Sequence, residues 1–154
     1  MNHQRILEII DSTPLVSIDL ILEDRSGRIL LGKRVNRPAR GYWFVPGGRI
    51  TKNERLADAI KRISSVELGT TLSMAEVQLL GAFDHIYEDN FLGEDGINTH
   101  YVALAYTIKV PDDLAIVPDH QHSEFKWWTK HDLLNSPGVH QNTKTYFADP
   151  EKRL

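Results

Sequence analysis

The sequence predicts an α/β (α+β) fold, a single domain in which a mixed β-sheet is sandwiched between helices. Three observations carry this reading. Apolar and polar residues alternate along several short segments, as they do in strands. Between the early and late segments lies one amphipathic helix, with Leu56, Ala59, Ile60, Ile63 and Val66 at helical spacing. The chain has 154 residues, a length that suits one domain, and strands on both sides of a central helix build a layered core.

The elements follow in order. Residues 3–10 carry Ile6, Leu7, Ile9 and Ile10 and stop before Asp11-Ser12-Thr13-Pro14, so a short helix is expected, broken by the proline. It has too few apolar residues to be stable alone. It must dock on the body of the protein or exchange onto another subunit. Val16–Glu23 alternates and reads as a strand, with Asp19 expected on its outward, polar side. Asp24-Arg25-Ser26-Gly27 is a turn, and Arg28–Lys33 is the returning strand. Arg34–Tyr42 (RVNRPARGY) sets three arginines in a Pro/Gly loop. That loop is either a solvated basic segment or a diphosphate clamp, since guanidinium forks match phosphate oxygens.

Trp43-Phe44-Val45 reads as a short buried strand feeding Pro46-Gly47-Gly48. A glycine turn that runs into a helix can hold an anion or a metal, because backbone groups approach a ligand closely there. Asn53 is expected to cap the helix at its start and Gly69 to end it. Thr70–Met74 connects to a strand over Val77–Tyr87 that contains Asp84 and His85. Glu88–Asn98 is an acidic, glycine-bearing loop of the kind that folds over a site. Thr99–Val110 and Ser123–Thr129 read as strands, separated by a polar stretch. Asp132 opens a short helix ending near Pro137-Gly138, and the tail is helical around Thr145–Phe147.

Composition narrows the function. Hydrophobic residues make up 41% and charged residues 25%, the balance of an ordinary globular protein. The net charge of −3 gives no reason to expect a nucleic-acid or membrane partner. The chain has no cysteine, which excludes thiol catalysis, cysteine-held zinc and a disulfide framework. The polar N-terminus does not resemble a signal peptide, and a cytoplasmic enzyme is expected.

The stretch GGRITKNERLADAIKRISSVELG resembles a Nudix box, whose pattern is G-x5-E-x7-R-E-U-x-E-E-x-G-U with U a bulky aliphatic residue. Over residues 48–70, Gly48, Glu54, Arg62, Glu67 and Gly69 sit at the pattern's spacings. Four positions depart. Two glutamates are replaced by Ile63 and Val66, and two aliphatic positions by Ser64 and Thr70. Further stretches (STPLVSIDL, LLGKRVNRPARGYWFVPGGR, THYV, and the groups around Asp84-His85, Asp89-Asn90-Phe91 and Gln121-His122) resemble the GDP-mannose mannosyl hydrolase branch of that family. The resemblance covers most of the chain from Ser12 to Trp128.

This resemblance implies a Nudix-type fold, an enzyme and a mechanism. Three box carboxylates at i, i+3 and i+4 would share one side of the helix and hold several divalent ions for attack on phosphorus. Only Glu67 remains, so a single Mg²⁺, or Mn²⁺, per subunit is expected, completed by substrate oxygens and water. By resemblance its protein ligands are Glu67, the Gly47 carbonyl and the Gln121 side chain. The branch displaces GDP from C1 of the sugar by water, on GDP-mannose or GDP-glucose. His122 matches its general base; an imidazole has a reference pKa of about 6.5. Arg34, Arg49 and Arg62 are the candidates for stabilising the departing diphosphate. The box arginine also has a simpler role, orienting a neighbouring carboxylate. Asp19, Arg34, His85 and Tyr101 are the substrate contacts that the resemblance implies. Glu54 is equally well explained as an acid at a helix N-terminus. A homodimer is also implied, which would give the N-terminal helix a partner.

Overall fold

A computed structural model describes residues 2–110 and 122–148. Within them a mixed sheet runs in the order β3-β2-β1-β6-β5, with β4 added to β1 and β7 to β2. The strands are β1 (Leu15–Glu23), β2 (Ile29–Arg34), β3 (Trp43–Phe44), β4 (Gly47–Arg49), β5 (Gln78–Tyr87), β6 (Thr99–Lys109) and β7 (His122–Trp128). The helices are α1 (His3–Ser12), α2 (Leu56–Leu68), α3 (Lys130–Asn135) and α4 (Gln141–Lys144). β1 pairs in parallel with β6 along its whole length, from Leu15↔Tyr101 to Glu23↔Lys109, and every other ladder is antiparallel.

Both faces of the sheet are covered, as the sequence predicts. Ile18, Leu20, Leu22 and Leu30 pack against Ala59, Ile60, Ile63 and Leu68 of α2. On the other face Ile21, Ile29 and Leu31 pack with Trp128, Leu133, Val139 and Tyr146 from the C-terminal third. Alternate residues of β1 therefore feed two cores. This corrects the expectation that Asp19 points outward. It lies on the same face as Ile21, and the C-terminal segment roofs that face.

Two expectations for α2 also change. The helix begins at Leu56, with Arg55 rather than Asn53 at its N-cap. Asn53 instead takes a positive φ of 67° in the preceding turn, a conformation asparagine tolerates. The buried stripe is Ala59, Ile60, Ile63, Ser64, Glu67 and Leu68, while Leu56 and Val66 are exposed. Val66 lies about a quarter turn from the centre of that stripe. Gly69 ends the helix as expected, left-handed at φ 70°, its N–H donating to the Ser65 carbonyl.

At the N-terminus the helix runs two residues beyond the expected 3–10 and is capped by Asn2, whose side chain accepts from the Arg5 amide at 2.8 Å. Ile10 is its one buried residue, and the helix lies against β6.

Ser64 occupies a box position where the pattern asks for an aliphatic residue, and the structure gives the reason. Its hydroxyl is fully buried, donates to the Ile60 carbonyl at 2.7 Å and accepts the Leu72 amide at 2.8 Å. It ties the end of α2 to the connector that follows. Ser64→Ala should strand the Leu72 amide and cost about 1–3 kcal/mol in urea unfolding. A loss below about 0.5 kcal/mol would show that the amide finds another partner.

Candidate active site

The cavity is built at one end of β1, where β4, β5 and β6 converge with the loop after β2. β4 supplies Gly47 and Gly48. A Cβ on Gly47 would run into Asp19 Oδ1 and the Ile18 carbonyl, so only glycine lets β4 lie flat on β1 at the Asp19↔Gly47 register. The result is a cavity of about 540 Å³. Its walls include Asp19 from β1, Arg34 at the end of β2, Arg37 and Arg40 from the following loop, Phe44, Gly47 and Arg49, His85 and Tyr87 from β5, Phe91 and Tyr101.

The structure thus gathers six of the residues singled out in the sequence: Asp19, Arg34, Gly47, Arg49, His85 and Tyr101. All three arginines of the Arg34–Tyr42 loop face the same space. Arg34 is the most telling. Its Nε is buried without a hydrogen-bond partner, and its guanidinium lies 5.5 Å from the centre of the Phe44 ring. A cation with a buried, open donor calls for an anionic acceptor.

Glu67 and Arg62 stand apart from these walls. Glu67 is 2% exposed, on the buried stripe of α2. Arg62 grips Glu54 with two nitrogens, at 2.7 and 2.9 Å, and donates to the Arg49 carbonyl at 2.8 Å. Glu54 also accepts the Thr51 amide at 3.1 Å. The Arg62 bond above all holds Glu54 well below the usual carboxylate range, at about 2. These contacts are those of the simpler role foreseen for Arg62, orienting a carboxylate. Gln121 and His120 lie outside the described residues, as does the His122 side chain; the His122 backbone pairs with Arg34 across β2 and β7.

Burial sets the charge states in the cavity. Desolvation pushes the Asp19 carboxyl up to about 6, opposed by its hydrogen bond from Tyr146 and by the Arg34 charge. His85 is 4% exposed, and burial, then nearby His140, pushes it down to about 4. It is neutral at physiological pH. Burial also raises Tyr87, Tyr101 and Tyr146, which stay protonated donors.

Ile63 and Val66 decide what metal the helix can hold. Ile63 is 1% exposed, and its Cγ1 would lie 3.1 Å from a Cβ placed on Gly48. It fills with hydrocarbon the place where the box pattern puts a carboxylate. Val66 is 53% exposed and offers no donor. Glu67 is then the one hard oxygen donor among these three helix positions. Among the described residues no group of three His, Cys, Asp or Glu side chains could hold an ion by itself. The donor set fits one divalent ion that takes much of its coordination from other oxygens.

An arginine-lined cavity beside a glycine turn suits an anionic ligand. The family model for the NUDIX domain matches residues 13–149, and the chain belongs to that family. It is a Nudix hydrolase, of a family that generally uses divalent ions such as Mg²⁺. It is 43% identical over 119 residues to the low-salt glycan biosynthesis protein Agl8 of Haloferax volcanii, covering 77% of this chain and 72% of that one. A MutT NUDIX hydrolase from Burkholderia pseudomallei superposes with a TM-score of 0.68 at 31% identity, covering 88% of this chain and 96% of that one. The MutT protein of Methanosarcina mazei Go1 superposes with a TM-score of 0.69, covering 88% and 92%; at 19% identity it speaks to the fold alone. No helix among the described residues is long and apolar enough to cross a membrane.

Sequence reasoning missed the C-terminal layer packed behind the cavity. Tyr146 donates to Asp19 Oδ2, and His140 stacks on Phe44 at 4.8 Å. Neither carries a local signal, because each partner lies on an early strand. The buried pair His85 and Asp19 also has opposite effects on stability. His85 stays neutral where the unfolded chain would be charged, so stability is lost as the pH falls from 6.5 to about 4. Asp19 keeps a proton that the unfolded chain gives up, so stability is lost as the pH rises from 3.8 to about 6. In the native protein the two trends offset. Asp19→Asn removes one of them, and should lose about 2–3 kcal/mol more than the native protein on going from about pH 7 to about pH 4. Parallel curves for the two proteins in urea titrations would refute this.

Proposed function

We propose that the protein hydrolyses GDP-mannose, or GDP-glucose, to GDP and the free sugar, by attack of water at C1 with inversion. The observation that carries this reading is Ile63. It is a buried aliphatic residue packed on Gly48, where a multi-ion site for attack on phosphorus would need a carboxylate. With one donor left on the helix, chemistry at the sugar carbon is favoured, and the diphosphate is the leaving group. The arginine-lined cavity supports an anionic leaving group, and the open Nε of Arg34 supplies it a donor. The similarity to a protein named for glycan biosynthesis supports a nucleotide-sugar substrate.

In this reading Arg34 and Arg49 bind the diphosphate and stabilise the charge it gains as the C1–O bond breaks. Arg62 fixes the backbone at Arg49. His122 takes the proton of the attacking water. His85, neutral and buried, and Tyr101 contact the substrate as hydrogen-bonding groups. Glu67, the Gly47 carbonyl and Gln121 would hold one Mg²⁺ or Mn²⁺ per subunit. When bound, that ion neutralises charge on the departing diphosphate. A cytoplasmic homodimer, in which α1 docks within or between subunits, completes the proposal.

Hydrolysis of GDP-mannose in ¹⁸O-water with Mg²⁺ tests the bond that breaks. Label should enter the sugar. Label in a phosphate product would instead mark an ordinary pyrophosphohydrolase of nucleotide sugars. No turnover across a panel of nucleotide sugars would leave an inactive binding module. His122→Ala should lower kcat by about 10²–10⁴-fold, the range of general-base catalysis, and leave Mg²⁺ affinity unchanged. Retention of full rate would remove His122 as the base.

A further inference from the structure

Among the described residues that line the cavity, Asp19 is the one carboxylate, set among four arginines. An acid in that place repels a phosphate. It suits an uncharged, donor-bearing part of a ligand, such as a sugar hydroxyl. Its orientation therefore matters, and its neighbours can be named from every side. Oδ1 lies against the bare Cα of Gly47 on β4. Oδ2 lies 3.9 Å from His85 Nδ1 on β5 and accepts the hydroxyl of Tyr146. Tyr87 and Tyr101, close enough to feel its charge, are protonated, and Arg34 faces it from β2.

Tyr146 is not a wall of the cavity. It is 2% exposed, and its ring is held edge-on by Phe83 at 4.9 Å and tilted against His85 at 5.5 Å. It reaches the cavity through Asp19. The geometry points to Tyr146 as the positioning residue for sugar recognition: its hydroxyl occupies one oxygen of Asp19, fixes the plane of the carboxylate, and leaves the other oxygen to accept from a sugar hydroxyl. This assignment rests on the nucleotide-sugar reading above. It adds a residue from the far end of the chain to the determinants of the sugar, while the arginines answer for the diphosphate.

The two roles separate in an experiment on the full chain with Mg²⁺. Tyr146→Phe keeps the ring and its packing on Phe83 and removes one hydroxyl. The KM for GDP-mannose should rise about tenfold, the loss expected for one hydrogen bond to a charged group. The affinity for GDP, read as product inhibition, should be unchanged. Asp19→Asn should raise KM at least as much, and the double variant should be no worse than Asp19→Asn alone, because Tyr146 acts through Asp19. Additive losses, an equal loss of GDP affinity, an unchanged KM, or a Tyr146→Phe chain that does not fold would each overturn the assignment. If the unsubstituted protein is active and only the Tyr146 variant departs from these expectations, the nucleotide-sugar reading stands and Tyr146 falls. If the unsubstituted protein turns over neither GDP-mannose nor GDP-glucose, both fall.

Discussion

The site depends on one close approach. β4 lies against β1 at a place where a single side-chain carbon on Gly47 would collide with Asp19 and with the β1 backbone. That approach sets the rest. It directs Asp19 into the cavity, brings Gly48 onto Ile63 and so seats α2, and delivers Arg49 to the wall with its carbonyl within reach of Arg62. Geometry of this kind is rigid because it is steric. Charge then arranges itself inside: arginines along the walls, one acid braced by a tyrosine, and a histidine that burial keeps neutral at physiological pH.

Ile63 shows how a scaffold can give up a ligand position with little change of shape. Isoleucine has much the bulk of the glutamate it replaces, and here it joins the core under the sheet. The helix gains apolar burial and gives up a ligand. Ser64 makes the reverse exchange, giving up an aliphatic contact to tie down the connector at Leu72. Both departures from the box pattern have local physical reasons.

The fold was legible because β1, β2, β6 and α2 carry strong periodicity that tertiary packing reinforced. The arginine loop and the glycine turn each allowed two readings in the sequence, a ligand-binding one and an ordinary surface one; the fold brings both to one cavity. Asp19 was misplaced because alternation shows which residues share a face, and not whether that face meets water. The roof over it is made by Val139 and Tyr146, more than a hundred residues later. Asn53 was misread because asparagine serves caps and left-handed turns alike. Tyr146 could not be found at all without knowing which strand it roofs.

The hydrogen bond between Tyr146 and Asp19 joins an early strand to a late turn, 127 residues apart. A ribosome adds residues one at a time, at about 5–20 per second, and domains form as units when their parts are available. β1 emerges early with its acid exposed and must wait for β6 to pair with it and for the C-terminal segment to roof it. Until Tyr146 is made, the nascent chain carries a strand with one face apolar and uncovered. The same covering that completes the binding site is therefore the last protection the sheet receives, and any chain interrupted before it lacks both.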